Sequence, residues 1–345
     1  MAAIPNQLAS DGRCFNNLIA IKADRAGADA IKTPTLLNSK LVIAIKKSRL
    51  ATTSNVPERS AYIIQSPHIL NSFPPKGTHM KLQGTTVLVT GAGAGMGRAI
   101  CVELIKKGAK VAALDIKKDG LVETGKVALA SKKNYLPIVL DITNTSKVAA
   151  LPKLIAKQLG SVDVVINNAG IIQPFVRLED LKQESINKVM DVNLFAPLNL
   201  IRVFLPTLKV KRKAFIVNTS SMGAYTPVPG QSLYGASKAA LAQLSAGLAS
   251  ELANTDVKVL LVYPGAVSTD IAKNSGIKMP KMDIDASKIK MSSAQKAAAM
   301  IVAGIEKDKK RIYIGQDAKI MNFLSRVNPN WAAYLINKQM KDLLK

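Results

Sequence analysis

Residues 85–108 read T-T-V-L-V-T-G-A-G-A-G-M-G-R-A-I-C-V-E-L-I-K-K-G, and the fold follows from them. The first six are apolar or β-branched, as in a strand buried on both faces. Seven residues rich in glycine interrupt them. After Gly97 the apolar positions Ile100, Cys101, Leu104 and Ile105 recur at helical spacing until Gly108 stops the helix. A strand that runs through a glycine turn into a helix is half of a βαβ unit. Glycines at that turn let backbone N–H groups approach a pyrophosphate, and the helix start supplies favourable partial charge. Gly91, Gly95 and Gly97 provide the spacing G-x-x-x-G-x-G, with Met96 between the last two.

The same alternation continues down the chain. Strand-like runs occupy residues 110–114, 136–140, 162–166, 214–220, 257–262 and 311–314, with helical spacing between most of them and a long helix around 186–204. Most of these runs are apolar on both faces, which indicates a mostly parallel sheet with helices on either side: a doubly wound α/β domain. Several runs end on polar or turn residues, namely Asp115, Asp141, N-N-A-G at 167–170 and Y-P-G at 263–265. Asp115 stands about twenty residues beyond the glycine turn. A carboxylate there accepts hydrogen bonds from an adenosine ribose and repels a 2′-phosphate, which favours NAD over NADP. Lys117 and Lys118 act in the opposite sense.

Beyond the fifth run, residues 221–238 read S-M-G-A-Y-T-P-V-P-G-Q-S-L-Y-G-A-S-K. Pro227, Pro229 and Gly230 break the chain, and a helix resumes near Leu233. Tyr234 and Lys238, four apart, share one helix face. A phenol has a pKa of about 10. An ammonium ~4 Å away would favour the phenolate by up to roughly 4 kcal/mol at an effective dielectric of 20. With Ser221 at the end of the preceding strand, this set forms an acid/base site for an alcohol or carbonyl.

Composition narrows the alternatives. His68 and His79 are the only histidines, so the chain from Met80 onward has neither a Ser-His-Asp triad nor a His-ligated catalytic metal, and no metal is expected. Cys14 and Cys101 make no disulfide framework, which points to a reducing, cytoplasmic setting. No run of eighteen apolar residues occurs. The net charge of +25 is spread along the chain; with 4% aromatics and no nucleic-acid signature, it reads as a basic surface that favours anionic ligands.

These motifs, in this order and spacing, resemble the short-chain dehydrogenase/reductase family in its classical type, over roughly residues 80–314. The resemblance implies a Rossmann-like seven-stranded sheet, a nicotinamide cofactor, a small alcohol or ketone substrate and a homodimer or homotetramer. It implies Tyr234 as general acid/base, Lys238 lowering its pKa and holding the nicotinamide ribose, Ser221 orienting the substrate oxygen and Asn193 holding a water in a proton relay. It places Asp141 beside the adenine, and Asn168, Ala169 and Gly170 along the cofactor cleft. Pro264, Gly265 and Thr269 then face the nicotinamide. Met96 and Ala196 depart from the more usual Ile and Gly. The expected activity is hydride transfer between NAD(H) and a secondary alcohol or ketone. An NADPH-dependent 3-oxoacyl thioester reductase and a non-catalytic dinucleotide-binding module are the alternatives.

Three regions are expected. Residues 1–79 lack a sustained period and are expected to be poorly ordered, either an organellar transit segment or a stretch upstream of a true start at Met80. Residues 80–315 form the dehydrogenase domain, and residues 316–345 a helical tail. Within the domain, residues 268–293 are expected to cover the substrate, with Ile277, Met279, Met282 and Met291 either as an adaptable lid or as ordinary packing. The tail is expected to pack on the body or a neighbouring subunit rather than on a membrane, although its apolar residues and lysines suit either.

Overall fold

The computed structural model describes residues 35–37, 40–42, 79–277, 291–340 and 344. The chain divides into two units, residues 1–77 and 78–345. In the first, the described residues form a short antiparallel pair, Thr35–Leu37 with Lys40–Val42. The expectation of poor order in residues 1–79 falls almost wholly outside the described residues, as do Met279 and Met282.

The second unit is built on seven strands: β1 (Thr86–Thr90), β2 (Lys110–Asp115), β3 (Tyr135–Val139), β4 (Val164–Asn167), β5 (Ala214–Thr219), β6 (Val257–Pro264) and β7 (Arg311–Ile314). All pair in parallel, in the order β7-β6-β5-β4-β1-β2-β3. The helices are α1 (Gly95–Lys106), α2 (Lys118–Val127), α3 (Thr145–Leu159), α4 (Gln183–Lys209), α5 (Ser232–Glu251), α6 (Ala294–Glu306), α7 (Gln316–Val327) and α8 (Pro329–Met340). The sheet is the Rossmann-like seven-stranded one expected, and parallel throughout.

Strand alternation sends neighbouring residues to opposite faces. Val87, Val89, Val111 and Ala113 join a core with Ile100 and Leu104 of α1, Leu121 of α2 and Ile301 and Ile305 of α6. Leu88, Ala112, Leu114 and Ile216 join a second core with Leu151 and Ile155 of α3, Leu200 and Phe204 of α4 and Leu248 of α5. Burial on both faces explains why these strands read as unbroken apolar runs rather than alternating ones.

Helix α4 is longer than its apolar spacing suggests, because polar ends at residues 183–185 extend it. It is long and apolar enough to cross a membrane, yet Leu200, Ile201, Phe204 and Leu208 are buried in the second core, as in a core helix. It also contains a π-turn, Asp191–Phe195, that the spacing does not reveal. The connection from β3 to β4 crosses the sheet, so the ends of β1 and β4 diverge at a switch point. A crevice opens there.

Candidate active site

The crevice encloses about 280 Å³. Gly91, Gly95, Met96, Gly97, Asp115, Asp141, Asn168, Ala169, Gly170 and Thr269 all line it, together with Lys117 and Asn274. The glycine turn is tight enough to exclude side chains. A Cβ on Gly97 would strike the Gly91 carbonyl oxygen, and one on Gly91, which has φ +66°, would lie 3.0 Å from Ala169 Cα. Helix α1 starts at this turn with Ala94 as N-cap and no side-chain cap. Its start is thus open to an anion. Arg98 braces the turn from behind through the Gly93 carbonyl and Thr124 Oγ1, and Thr124 in turn donates to the Ala92 carbonyl.

Asp115 is pinned on both oxygens. Oδ2 accepts from Gly93 N–H and Oδ1 from Lys117 N–H, each at 2.9 Å. A Cβ on Gly93 would lie 2.9 Å from this carboxylate, so glycine is required beside it. Lys117 Nζ donates to Asn274 Oδ1 at 3.0 Å, which links the tip of β2 to the single helical turn Ile271–Asn274. Asp141 accepts from Thr143 N–H and Oγ1 at the far end of the crevice.

The N-N-A-G turn is fastened to β1 by a residue that motif spacing alone does not single out. Thr90 Oγ1 accepts from the N–H groups of Asn168 and Ala169, each at 3.0 Å, and Asn168 Nδ2 donates back to the Thr90 carbonyl. Gly170 then passes close to the reactive groups. A Cβ there would lie 3.0 Å from Lys238 Nζ and 3.2 Å from Asn193 Oδ1.

Asn193 lies inside the π-turn, fully buried. The extra residue of such a turn alters which side chains face inward. Asn193 uses both ends of its amide: Oδ1 accepts from Ile171 N–H, and Nδ2 donates to the Ile171 carbonyl and to Ser237 Oγ. It therefore ties α4, α5 and the segment after β4 into one frame.

Ser221 and Tyr234 are brought together as their spacing suggests: a Cβ on Gly223 would lie 3.4 Å from the Tyr234 ring and 3.5 Å from Ser221 Oγ. Ser221 Oγ also accepts from Gly223 N–H at 3.0 Å. Lys238 Nζ donates to the Thr219 carbonyl at 3.0 Å and lies 6.0 Å from the centre of the Tyr234 ring. Burial dominates the proton affinity of both groups. It raises the phenol above its ordinary value, against the lowering effect of Ser221, and pushes the Lys238 amine down to about 8. An isolated Tyr–Lys distance estimate omits this desolvation.

Two supporting residues escape a sequence reading because their partners are distant. Gln173, buried, accepts the N–H groups of Leu233 (2.8 Å) and Tyr234 (3.0 Å) on Oε1, and its carbonyl accepts from Gln231 Nε2. It is the N-terminal cap of α5, supplied from sixty residues upstream. Asp317, on α7, accepts from Ala266 N–H, and a Cβ on either Gly265 or Gly315 would strike its carboxylate. Pro264 and Gly265 lie outside the crevice wall. Pro264 ends β6, buried opposite Ile314, and Gly265 N–H donates to the Ile314 carbonyl. Among the described residues no cluster of three or more His, Cys, Asp or Glu could hold a metal ion.

Comparison with known proteins agrees with this architecture. The short chain dehydrogenase family model matches residues 85–279. A putative oxidoreductase, SadH, of Mycobacterium tuberculosis is 31% identical over 252 residues, 71% of this chain and 91% of the relative. The 1-deoxy-11-beta-hydroxypentalenate dehydrogenase of Streptomyces avermitilis is 32% identical over 242 residues, 70% of this chain and 88% of that enzyme. A short chain dehydrogenase from Burkholderia cenocepacia, solved in complex with NADP, superposes with a TM-score of 0.63 at 27% identity, covering 74% of this chain and 99% of the other. With the parallel sheet, the glycine crevice and the Ser221–Tyr234 pair, these matches make the chain a member of the short-chain dehydrogenase/reductase family of oxidoreductases.

Proposed function

We propose that this chain transfers hydride between NAD(H) and a secondary alcohol or ketone, with Tyr234 as general acid/base. The observation that carries the reading is the adjacent Ser221–Tyr234 pair, both against Gly223, beside a glycine-cradled crevice that reaches Lys238 through Gly170. The residues present suit a dinucleotide: an uncapped helix start and side-chain-free turn for the pyrophosphate, and the fixed Asp115 carboxylate for ribose hydroxyls. The nicotinamide, when bound, supplies or accepts the hydride.

The chain's own residues handle the proton. Ser221 offers its hydroxyl where negative charge develops on the substrate oxygen. In the reductive direction Tyr234 delivers its phenolic proton to that oxygen; in the oxidative direction it takes the proton back. Lys238 supplies positive charge from below, held by the Thr219 carbonyl. Asn193, bordering Gly170 with Lys238, lies where a relayed proton would pass. The Streptomyces relative's name, a dehydrogenase of a hydroxylated compound, supports an alcohol substrate. The Burkholderia neighbour's NADP favours a second reading, an NADPH-dependent thioester reductase to which the net charge of +25 would draw acidic carriers.

A panel of secondary alcohols, ketones and 3-oxoacyl thioesters, assayed by nicotinamide absorbance with each cofactor, separates these readings. Turnover of an alcohol or ketone with NAD(H) preferred is expected. Thioester reduction with NADPH preferred would replace the first reading by the second. Cofactor binding without turnover of any class would indicate a silent module.

A further inference from the structure

The hairpin of α7 and α8 has two apolar faces, and the body of the protein uses one of them. Ala318 and Met321 of α7 and Ala332 and Ile336 of α8 are buried. Met321, Ala332 and Ile336 form a cluster against Met222, Tyr225 and Val228, in the loop that follows Ser221. Tyr225 donates its hydroxyl to the Ala318 carbonyl at 2.8 Å, and Asp317 accepts from Ala266 N–H. The hairpin is thereby fixed over the loop that carries the reactive serine.

The second face has no such partner among the described residues. Ile320, Phe323 and Val327 recur at helical spacing on the side of α7 opposite Met321, and Trp331 and Tyr334 do so on α8 opposite Ala332 and Ile336. All five are between 51% and 67% exposed. Around them stand the exposed cations Lys319, Arg326 and Lys338. The single acid among the described residues of the hairpin, Asp317, is turned inward to Ala266.

We propose that this face docks on an anionic lipid surface. Aliphatic and aromatic side chains flanked by Lys and Arg, without exposed acid, are the composition of a helix lying in the membrane interface, where Trp and Tyr settle at headgroup level. Each cation near an anionic leaflet adds attraction. A two-fold pairing of the same face with a second copy would instead gather six cations around one contact, with no exposed acid among the described residues of the hairpin to match them. Docking in this way holds the loop after Ser221 one helix layer from the bilayer, where apolar substrates partition. The inference stands on the hairpin's surface and does not depend on the substrate proposed above.

Trp331 is the only tryptophan of the chain, so its emission reports on this face directly. The full chain is mixed with vesicles of phosphatidylcholine alone and of phosphatidylcholine with phosphatidylserine, then followed by flotation and tryptophan emission. Flotation and a blue shift with the anionic vesicles are expected, much weaker with the zwitterionic ones. The double substitution Phe323→Ser with Val327→Ser, folded by its unchanged thermal transition, should lower flotation at least about tenfold. Equal flotation of this variant would assign binding to the basic body and overturn the proposal. So would no flotation of the wild type, whether or not its emission starts blue and moves red on dilution, the sign of a second copy covering the face.

Discussion

Two helices begin at the C-terminal edge of the sheet, and their first turns are finished in opposite ways. Neither α1 nor α5 is capped by its own N-cap side chain. At α1 the glycine turn leaves the start open to the crevice. At α5 the Gln173 amide oxygen takes the N–H groups of Leu233 and Tyr234. A helix start carries about half a positive charge together with unsatisfied donors. Left open, it attracts a phosphate. Stoppered by a neutral amide, it no longer offers those donors to an anion and instead fixes geometry, and the residue fixed here is Tyr234. One backbone feature thus serves binding at α1 and positioning at α5, and the difference is whether a side chain reaches the donors first.

The largest effect should come from closing the open start. Gly97→Ala puts a methyl group against the Gly91 carbonyl and 2.7 Å from Asn168 Nδ2, both held by the turn. Cofactor affinity measured by calorimetry should fall by about 100-fold or more, roughly 2.7 kcal/mol. Thermal unfolding checks that the sheet persists. Affinity within a few-fold of wild type would mean that the turn yields and is not a rigid cradle.

Opening the stoppered start should be milder and should act on kcat. Gln173→Leu leaves two donors without an acceptor, at a cost of about 1–2 kcal/mol in stability. Turnover should fall about tenfold through misplacement of Tyr234. Cofactor affinity should not change, and Gln173→Glu, which keeps an acceptor oxygen, should recover most of the rate. Equal loss in the Leu and Glu variants would deny the cap a positioning role.

Cofactor choice sharpens the α1 side. Lys117 and Lys118 could offset the Asp115 charge against a 2′-phosphate, but Lys117 is engaged with Asn274 while Asp115 is held by two backbone donors. NAD(H) should therefore be preferred. Asp115→Asn, which keeps an acceptor for the turn while removing the charge, should move the ratio of kcat/KM values several-fold toward NADP(H). A wild type that already prefers NADPH would show that the lysines prevail.

The smallest effect is a pH slope on the α5 side. Folded Lys238 titrates at about 8 and an unfolded lysine at 10.5. Between those values the unfolded chain binds more protons, so stability rises with pH across the window; below about 8 the full cost of burying the charge is present. The wild-type melting temperature should accordingly rise relative to Lys238→Met between about pH 8 and 9, before most tyrosines of the unfolded chain ionise. Parallel pH curves would show that the amine is not desolvated.

Legibility in the sequence follows the same division. The strands were readable because burial on both faces makes each an apolar run, and β7 falls at residues 311–314 as its spacing indicates. The glycine turn and Asp115 were readable because their contacts close within about twenty residues. The α5 side was readable only in part: Ser221 and Tyr234 lie close enough in sequence to be paired, and both side chains lie against Gly223. Gln173, sixty residues from its partners, and Asp317, fifty-one residues from Ala266, carry no local signal. Nor does the π-turn around Asn193, since one inserted residue leaves the apolar spacing almost unchanged. The proton affinities of Tyr234 and Lys238 carry no signal in their spacing, because burial governs both.

Proton transfer by the phenol of Tyr234 is tested with the least disturbance by Tyr234→Phe, which removes one hydroxyl while leaving the ring. Single-turnover rates and cofactor affinity should be measured together on the variant and the wild type. Unchanged affinity and a rate lowered by at least about 100-fold are expected. A variant that retains more than about a tenth of the wild-type rate, a loss below roughly 1.4 kcal/mol, would mean that the proton travels by another group.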